Sequence, residues 1–182
     1  MTSGPENPDS EQDPDSVQDE SYLIGVRRQK LQNLRDKGID PYPHSYDRSH
    51  TTAEALALFD AAEAESGEGA RTEDLSVAGR IIRYRRMGKA TFLDLQDGSG
   101  KVQVLLRRNN IPDSYDDLRE LDIGDFLGIV GPMFRTRTGE ATVEASTWTI
   151  LSKSLRPLPE KFHGLSDVEA RYRQRYLDLI SN

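Results

Sequence analysis

A change of period is the feature that most constrains the fold of this chain. Up to about residue 66 apolar residues recur at helical spacings, whereas from Leu75 to Leu151 the period falls to two. Five segments, 76–86, 89–97, 101–108, 125–135 and 140–151, alternate or are rich in Val, Ile, Thr and aromatics between turn residues, and each is predicted to be a strand. Asp97-Gly98-Ser99-Gly100 and Thr138-Gly139 supply the turn chemistry of two hairpins. Between the third and fourth segments, Pro112 to Leu121 predicts a short helix ending before Gly124.

Three strands, a helix and two strands make the element order of the OB-fold, a five-stranded Greek-key barrel. Such barrels take oligonucleotides on the face of strands 2 and 3 and in the loops after strands 1 and 4. A different five-stranded barrel, or half of a sandwich, fits the same pattern. The fold class expected is therefore mainly β with flanking helices, the barrel occupying 73–152. Ahead of it, residues 21–72 form a helical extension. Leu23, Ile24, Leu31 and Leu34 lie at helical spacing among Arg27, Arg28, Lys30, Arg35 and Lys37, and Thr51-Thr52-Ala53-Glu54 has the spacing of a capping box. After the barrel, 153–182 begins as a stiff Leu155-Arg156-Pro157-Leu158-Pro159 connector. It continues as a helix with Val168, Tyr172, Tyr176 and Leu179 on one face, either the start of a further domain or a helix docking back on the barrel.

Charge is distributed unevenly. The 182 residues carry 24 Lys plus Arg against 31 Asp plus Glu, a net of −7. Residues 1–20 hold seven carboxylates and no basic residue, which leaves a balanced 24 of each beyond them. With almost nothing to bury, 1–20 is expected to be a disordered acidic tail. The absence of Cys excludes disulfides, thiolate zinc sites and thiol nucleophiles. No apolar run approaches the ~20 residues of a membrane span, and the expected location is the cytoplasm.

No catalytic constellation is legible, and no metal site is expected: the three His are far apart in sequence, and the adjacent Asp116 and Asp117 point in different directions on a helix. The informative stretch is 75–93, which carries Arg80, Arg83, Arg85, Arg86 and Lys89 and no carboxylate. A polyanion is one natural partner for it, and a solvated edge strand protected by positive charge is the alternative. In the second strand, burying Leu93 and Leu95 leaves Phe92, Asp94 and Gln96 outward; in the third, burying Val102 and Val104 leaves Lys101, Gln103 and Leu105 outward. A hairpin symmetric about 98–99 sets Asp94 opposite Gln103, with Phe92 diagonal to it. An outward aromatic beside an outward amide among positive charges can stack an unpaired base and read its edge; packing of Phe92 under the helical extension is the competing reading. Glu140, at the exit of the last hairpin, either accepts a hydrogen bond from a base N–H or closes the turn by pairing with Arg137.

The residues then resemble a known family. Gly79-Arg80-Ile81-Ile82, Met87-Gly88-Lys89-Ala90-Thr91-Phe92, Leu95-Gln96-Asp97, Thr138-Gly139-Glu140, the run Leu155 to Leu165 and the run Glu169 to Ile180 are similar to the N-terminal part of class II lysyl-tRNA synthetases, over about residues 28–182. The resemblance implies an OB-fold that binds the uridine-rich anticodon of the lysine tRNA. Phe92 would stack on the central anticodon base, Gln103 and Glu140 would read uridine edges, and Arg80, Arg83 and Arg86 would contact bases or phosphates. Arg27, Arg28, Lys30 and Lys89 would touch the tRNA backbone. The family's aminoacylation domain uses ATP, Mg2+ and L-lysine and forms a homodimer. Its motifs are not among these residues, so the segment alone is expected to be inactive. A stand-alone single-strand binder derived from such an enzyme is the alternative.

Overall fold

The computed structural model describes the backbone from Pro14 to Pro157, with side chains from Ser21 onward, and also Tyr172, Arg173 and Arg175. The helix expected over 166–180 lies outside these residues apart from those last three, which are helical. Helix α1 runs from Pro14 to Asp36 and therefore begins inside the segment expected to be disordered. Proline at the first helical position costs nothing there, because its missing N–H would have no partner in the first turn. Residues 1–13 lie outside the description. Helix α2, Thr52–Ser66, starts where the capping box predicts, with both reciprocal bonds between Thr51 and Glu54 formed.

Seven strands follow, β1 (Leu75–Met87), β2 (Ala90–Gln96), β3 (Lys101–Arg107), β4 (Phe126–Gly131), β5 (Met133–Arg135), β6 (Ala141–Glu144) and β7 (Thr147–Ser152). The first three match expectation, and each of the last two expected strands is broken in two. Pro132 supplies no N–H to a ladder, and at Gly131 the Glu144 carbonyl lies where a Cβ would be, so only glycine lets the chains cross there. The second break, at Ala145-Ser146, sends those two N–H groups to different strands, 2.9 Å to the Leu105 carbonyl and 2.8 Å to the Val130 carbonyl. The sheet order is β5-β6-β3-β2-β1-β4-β7, antiparallel except for β3–β6. Its two edges are the continuations of β4 and β6 past their breaks, so the bent ribbons wrap the sheet on itself as an OB-fold does. The expected helix over 112–121 is a single 3-10 stretch, Tyr115–Glu120, whose Tyr115 and Leu118 plug the core.

The core is built from alternate residues of the strands, Leu75, Val77, Ile81, Leu93, Leu95, Val102, Val104, Leu127, Ile129 and Val143, with Phe59 and Leu34 brought in by the helices. Helix α1 docks on an acidic stretch at one end of the barrel. Arg27 donates to the carbonyls of Ile123, Ser154 and Arg156, Lys30 pairs with Asp122 at 2.6 Å, Asn33 donates to Glu120, and Lys37 pairs with Asp117. Beneath this seam the fully buried Lys153 ammonium sits 2.5 Å from Asp122 and 2.8 Å from Asp125. Burial pushes the Asp125 carboxyl up despite Lys153, whereas for Asp122 burial is outweighed by hydrogen bonds from Lys153 and Lys30, and its pKa falls.

Candidate nucleic-acid interface

The β2–β3 register is the one the hairpin symmetry predicts, with Asp94 opposite Gln103 and Phe92 opposite Leu105. The turn that fixes it is held by Asp97, whose carboxylate accepts from Ser99 N, Ser99 Oγ and Gly100 N and reaches across to Thr52 N and Oγ1 at the start of α2. Burial would raise the Asp97 pKa, but these donors outweigh it and hold the carboxyl far below the usual range.

How the arginines reach the same face is decided in β1. Up to Ile81 the odd positions point into the barrel; a bulge at Ile82 then inserts one residue, so that Ile81 faces Leu95 and Arg83 faces Asp94. Ile81 makes its own 2.8 Å bonds to Gly124 and Asp125 instead. Without the extra residue Arg83 and Arg85 would point inward. With it, they stand outward beside Asp94 and Phe92. Arg83 is 72% exposed, 3.7 Å from Asp94. The Arg85 guanidinium lies 5.6 Å from the centre of the Phe92 ring.

Two expectations for this face need correction. Phe92 is half-buried, not exposed, because Arg85 lies over it. Leu105, expected outward, is 2% exposed. It points away from the core but sits in the cross-strand row between Phe92 and Glu144, and β6 pairs alongside it. It forms an apolar floor beside the Phe92 ring.

Gln103 is half-buried and outward, and its Oε1 lies 2.9 Å from the Thr142 hydroxyl, which is also 3.1 Å from the Glu140 carbonyl. Thr142 thus ties Gln103 to the last hairpin and leaves the Gln103 NH2 as an outward donor. The hairpin is closed by Thr136, through its N–H to the Glu140 carbonyl at 2.9 Å and its Oγ1 accepting from Glu140 N at 3.1 Å. Arg135 braces it, donating to Gly139 O and to both carboxylate oxygens of Glu63 on α2. Pairing of Glu140 with Arg137 is not found, and the exposed Glu140 carboxylate has no ion pair among the described residues.

The remaining expected contacts separate. Arg80 leans away toward β4, stacked at 4.3 Å on Phe126 and donating to Gly124 O, and burial lowers its pKa. Arg86 lies on the opposite side of β1, 3.8 Å from Asp116 and 5.6 Å from the Tyr115 ring. Arg108 shares both of those partners, at 2.5 Å from Asp116. Arg27 and Lys30 are spent on the α1 seam described above, which leaves Arg28 exposed on the helix and Lys89 exposed at the β1–β2 turn. The outward set is therefore Arg83, Arg85, Phe92, Asp94, Gln103 and Glu140. Arg85 was legible as part of the basic run, but the bulge that aims it was not.

A wrapped five-ribbon barrel with a basic, aromatic-bearing outer face on strands 1 to 3 defines an OB-fold nucleic-acid-binding domain. Residues 75–151 match the family described as OB-fold nucleic acid binding domain. Over the barrel and its flanking segments together, the chain is 51% identical over 164 residues to a lysine–tRNA ligase of Dehalococcoides mccartyi, covering 90% of this chain and 32% of that protein. It is 52% identical over 166 residues to that of Pelotomaculum thermopropionicum (91% and 31%), and 47% identical over 170 residues to that of Citrobacter koseri (92% and 33%). The barrel is thus similar to OB-fold nucleic-acid-binding domains and the chain as a whole to lysine–tRNA ligases, and it spans about a third of the length of the curated relatives it matches. Among the described residues no helix is long and apolar enough to cross a membrane, and no group of three or more His, Asp or Glu could hold a metal ion.

Proposed function

We propose that the outer face of β1 to β3 binds the anticodon of the lysine tRNA and reads uridine there. The observation that carries this is the bridge made by Thr142, which sets an outward amide donor at Gln103 next to the hairpin bearing the Glu140 carboxylate, beside the Phe92 ring. Uracil presents acceptor, donor and acceptor along its pairing edge. An NH2 group and a carboxylate complement it, whereas cytosine places a donor and an unprotonated ring nitrogen in the same positions. Phe92 supplies a stacking surface, and Arg83 and Arg85 neutralise the flanking phosphates. Arg28 and Lys89 extend the positive surface to the tRNA backbone.

The whole protein, of which this chain represents about a third by comparison with its relatives, joins L-lysine to that tRNA in the cytoplasm. It works as a class II homodimer using ATP and Mg2+. This segment contributes recognition and no chemical step.

Fluorescence-anisotropy titration with an anticodon stem-loop bearing UUU, and with one whose central base is C, at two salt concentrations, tests the reading. Preference for UUU with strong salt dependence is expected. Equal, salt-sensitive binding of both would make the domain a general single-strand binder, and absence of binding to either would refute the assignment.

A further inference from the structure

The outer face does not end at Gln103. The cross-strand row Asp94, Gln103, Thr142 continues to Phe134 on β5, which points outward because its neighbour Met133 fills the core. Residues 71 and 72, ahead of β1, run along this edge. Arg71 forms an isolated antiparallel bridge with Phe134, Thr72 N donates to Met133 O at 3.2 Å, and Met133 N donates to Thr72 Oγ1 at 2.9 Å. This pairing delivers the Arg71 guanidinium over the half-buried Phe134 ring, 5.3 Å from its centre. Glu144, the next outward residue of β6, accepts from Arg71 at 2.6 Å and lies 3.4 Å from Arg107 on β3. Burial raises the Glu144 pKa, but the two arginines outweigh it and keep the carboxylate ionised. One carboxylate thus fixes two guanidinium groups, each about half-exposed, and leaves a net positive lane from β3 to β5.

We propose that Phe134, Arg71 and Arg107 form a second nucleotide subsite, which takes one unpaired nucleotide adjoining the anticodon triplet. Its base stacks on the Phe134 ring and the Arg71 guanidinium, and its phosphate lies on Arg71 and Arg107. Three strand spacings separate β2 from β5, roughly 14 Å, so the Phe92 and Phe134 rings serve different nucleotides. The Arg71–Glu144 pair preorganises the guanidinium, and stacking on aromatic and guanidinium planes is how unpaired RNA bases are held. The subsite rests on the anticodon reading above and extends it from a triplet to a longer stretch of single strand.

The test compares UUU with a five-nucleotide RNA carrying one extra residue at each end, using the 182-residue chain and its Phe134→Ala, Arg71→Gln and Phe92→Ala variants, each checked by thermal unfolding. Wild type should bind the longer RNA about tenfold more tightly. Phe134→Ala and Arg71→Gln should keep wild-type affinity for UUU and lose most of that gain, whereas Phe92→Ala should weaken both RNAs. Arg71→Gln lies on the surface and serves if Phe134→Ala fails to fold. Equal wild-type affinity for the two RNAs, or a gain undiminished in the folded variants, would overturn the subsite and leave the triplet reading intact. No wild-type binding to either RNA would overturn both.

Discussion

Replacing Phe92 with Ala separates the role of this ring in binding from its role in the fold. Stacking of an unpaired base on an aromatic side chain contributes about 1–3 kcal/mol, so affinity for a UUU stem-loop should fall by roughly 5- to 150-fold. The ring is half-buried between Leu105 and the Arg85 guanidinium, and its removal also costs stability. Full burial of a phenylalanine is worth about 1.5–3 kcal/mol, and half of that plus an exposed cation–π contact gives about 1–2 kcal/mol. For a chain of this size that corresponds to a fall in Tm of about 2–8 °C. Anisotropy titration and thermal unfolding of the same preparations measure both quantities, and Phe92→Trp should retain both. An affinity within twofold of wild type in a folded Phe92→Ala protein would refute stacking. A fall in Tm beyond about 15 °C would show that the ring belongs to the core.

Three further outcomes are expected. Replacing Arg83 or Arg85 by Gln should reduce the slope of log affinity against log salt by about 0.7 per lost phosphate contact, while Arg80→Gln, which breaks the stack on Phe126, should leave that slope unchanged and lower stability by about 0.5–1 kcal/mol. The Asp97 pKa is depressed in the folded state, so its stabilisation is complete above the unfolded pKa of about 4 and is lost as pH falls below it; Tm should drop on acidification there, and more shallowly in Asp97→Asn. Asp125→Ala leaves the fully buried Lys153 with a single carboxylate partner and should cost about 3–5 kcal/mol in urea unfolding, with a loss under 1 kcal/mol refuting the importance of the pair.

Local features of the sequence were enough to place much of this protein. The capping box at Thr51 and the turn at Asp97 to Gly100 are satisfied within a few residues, and the alternation of Leu93 and Leu95 with Phe92 and Asp94 fixes which side faces inward. For a short hairpin symmetric about 98–99 the meeting of Phe92, Asp94 and Gln103 follows, and the structure has that register. The helical extension was less fully legible: its basic residues looked available to RNA, yet Arg27, Lys30 and Lys37 are answered by groups some ninety or more residues away in most cases, such as Asp122 and the Ser154 carbonyl.

The sequence by itself determined the first three strands, the second helix, the turn between β2 and β3 and the basic stretch, since all of these depend on period, turn chemistry and composition over short spans. Tertiary structure decided the rest. The bulge at Ile82 exists where Ile81 turns its backbone to Gly124 and Asp125, and only that inversion puts Arg83 and Arg85 on the same outer face as Phe92. Likewise, the parallel pairing of β3 with β6 brings Thr142 between Gln103 and Glu140. Periodicity tells which way a residue points within its own segment; which distant strand or charge lies opposite it is set only when the chain closes on itself.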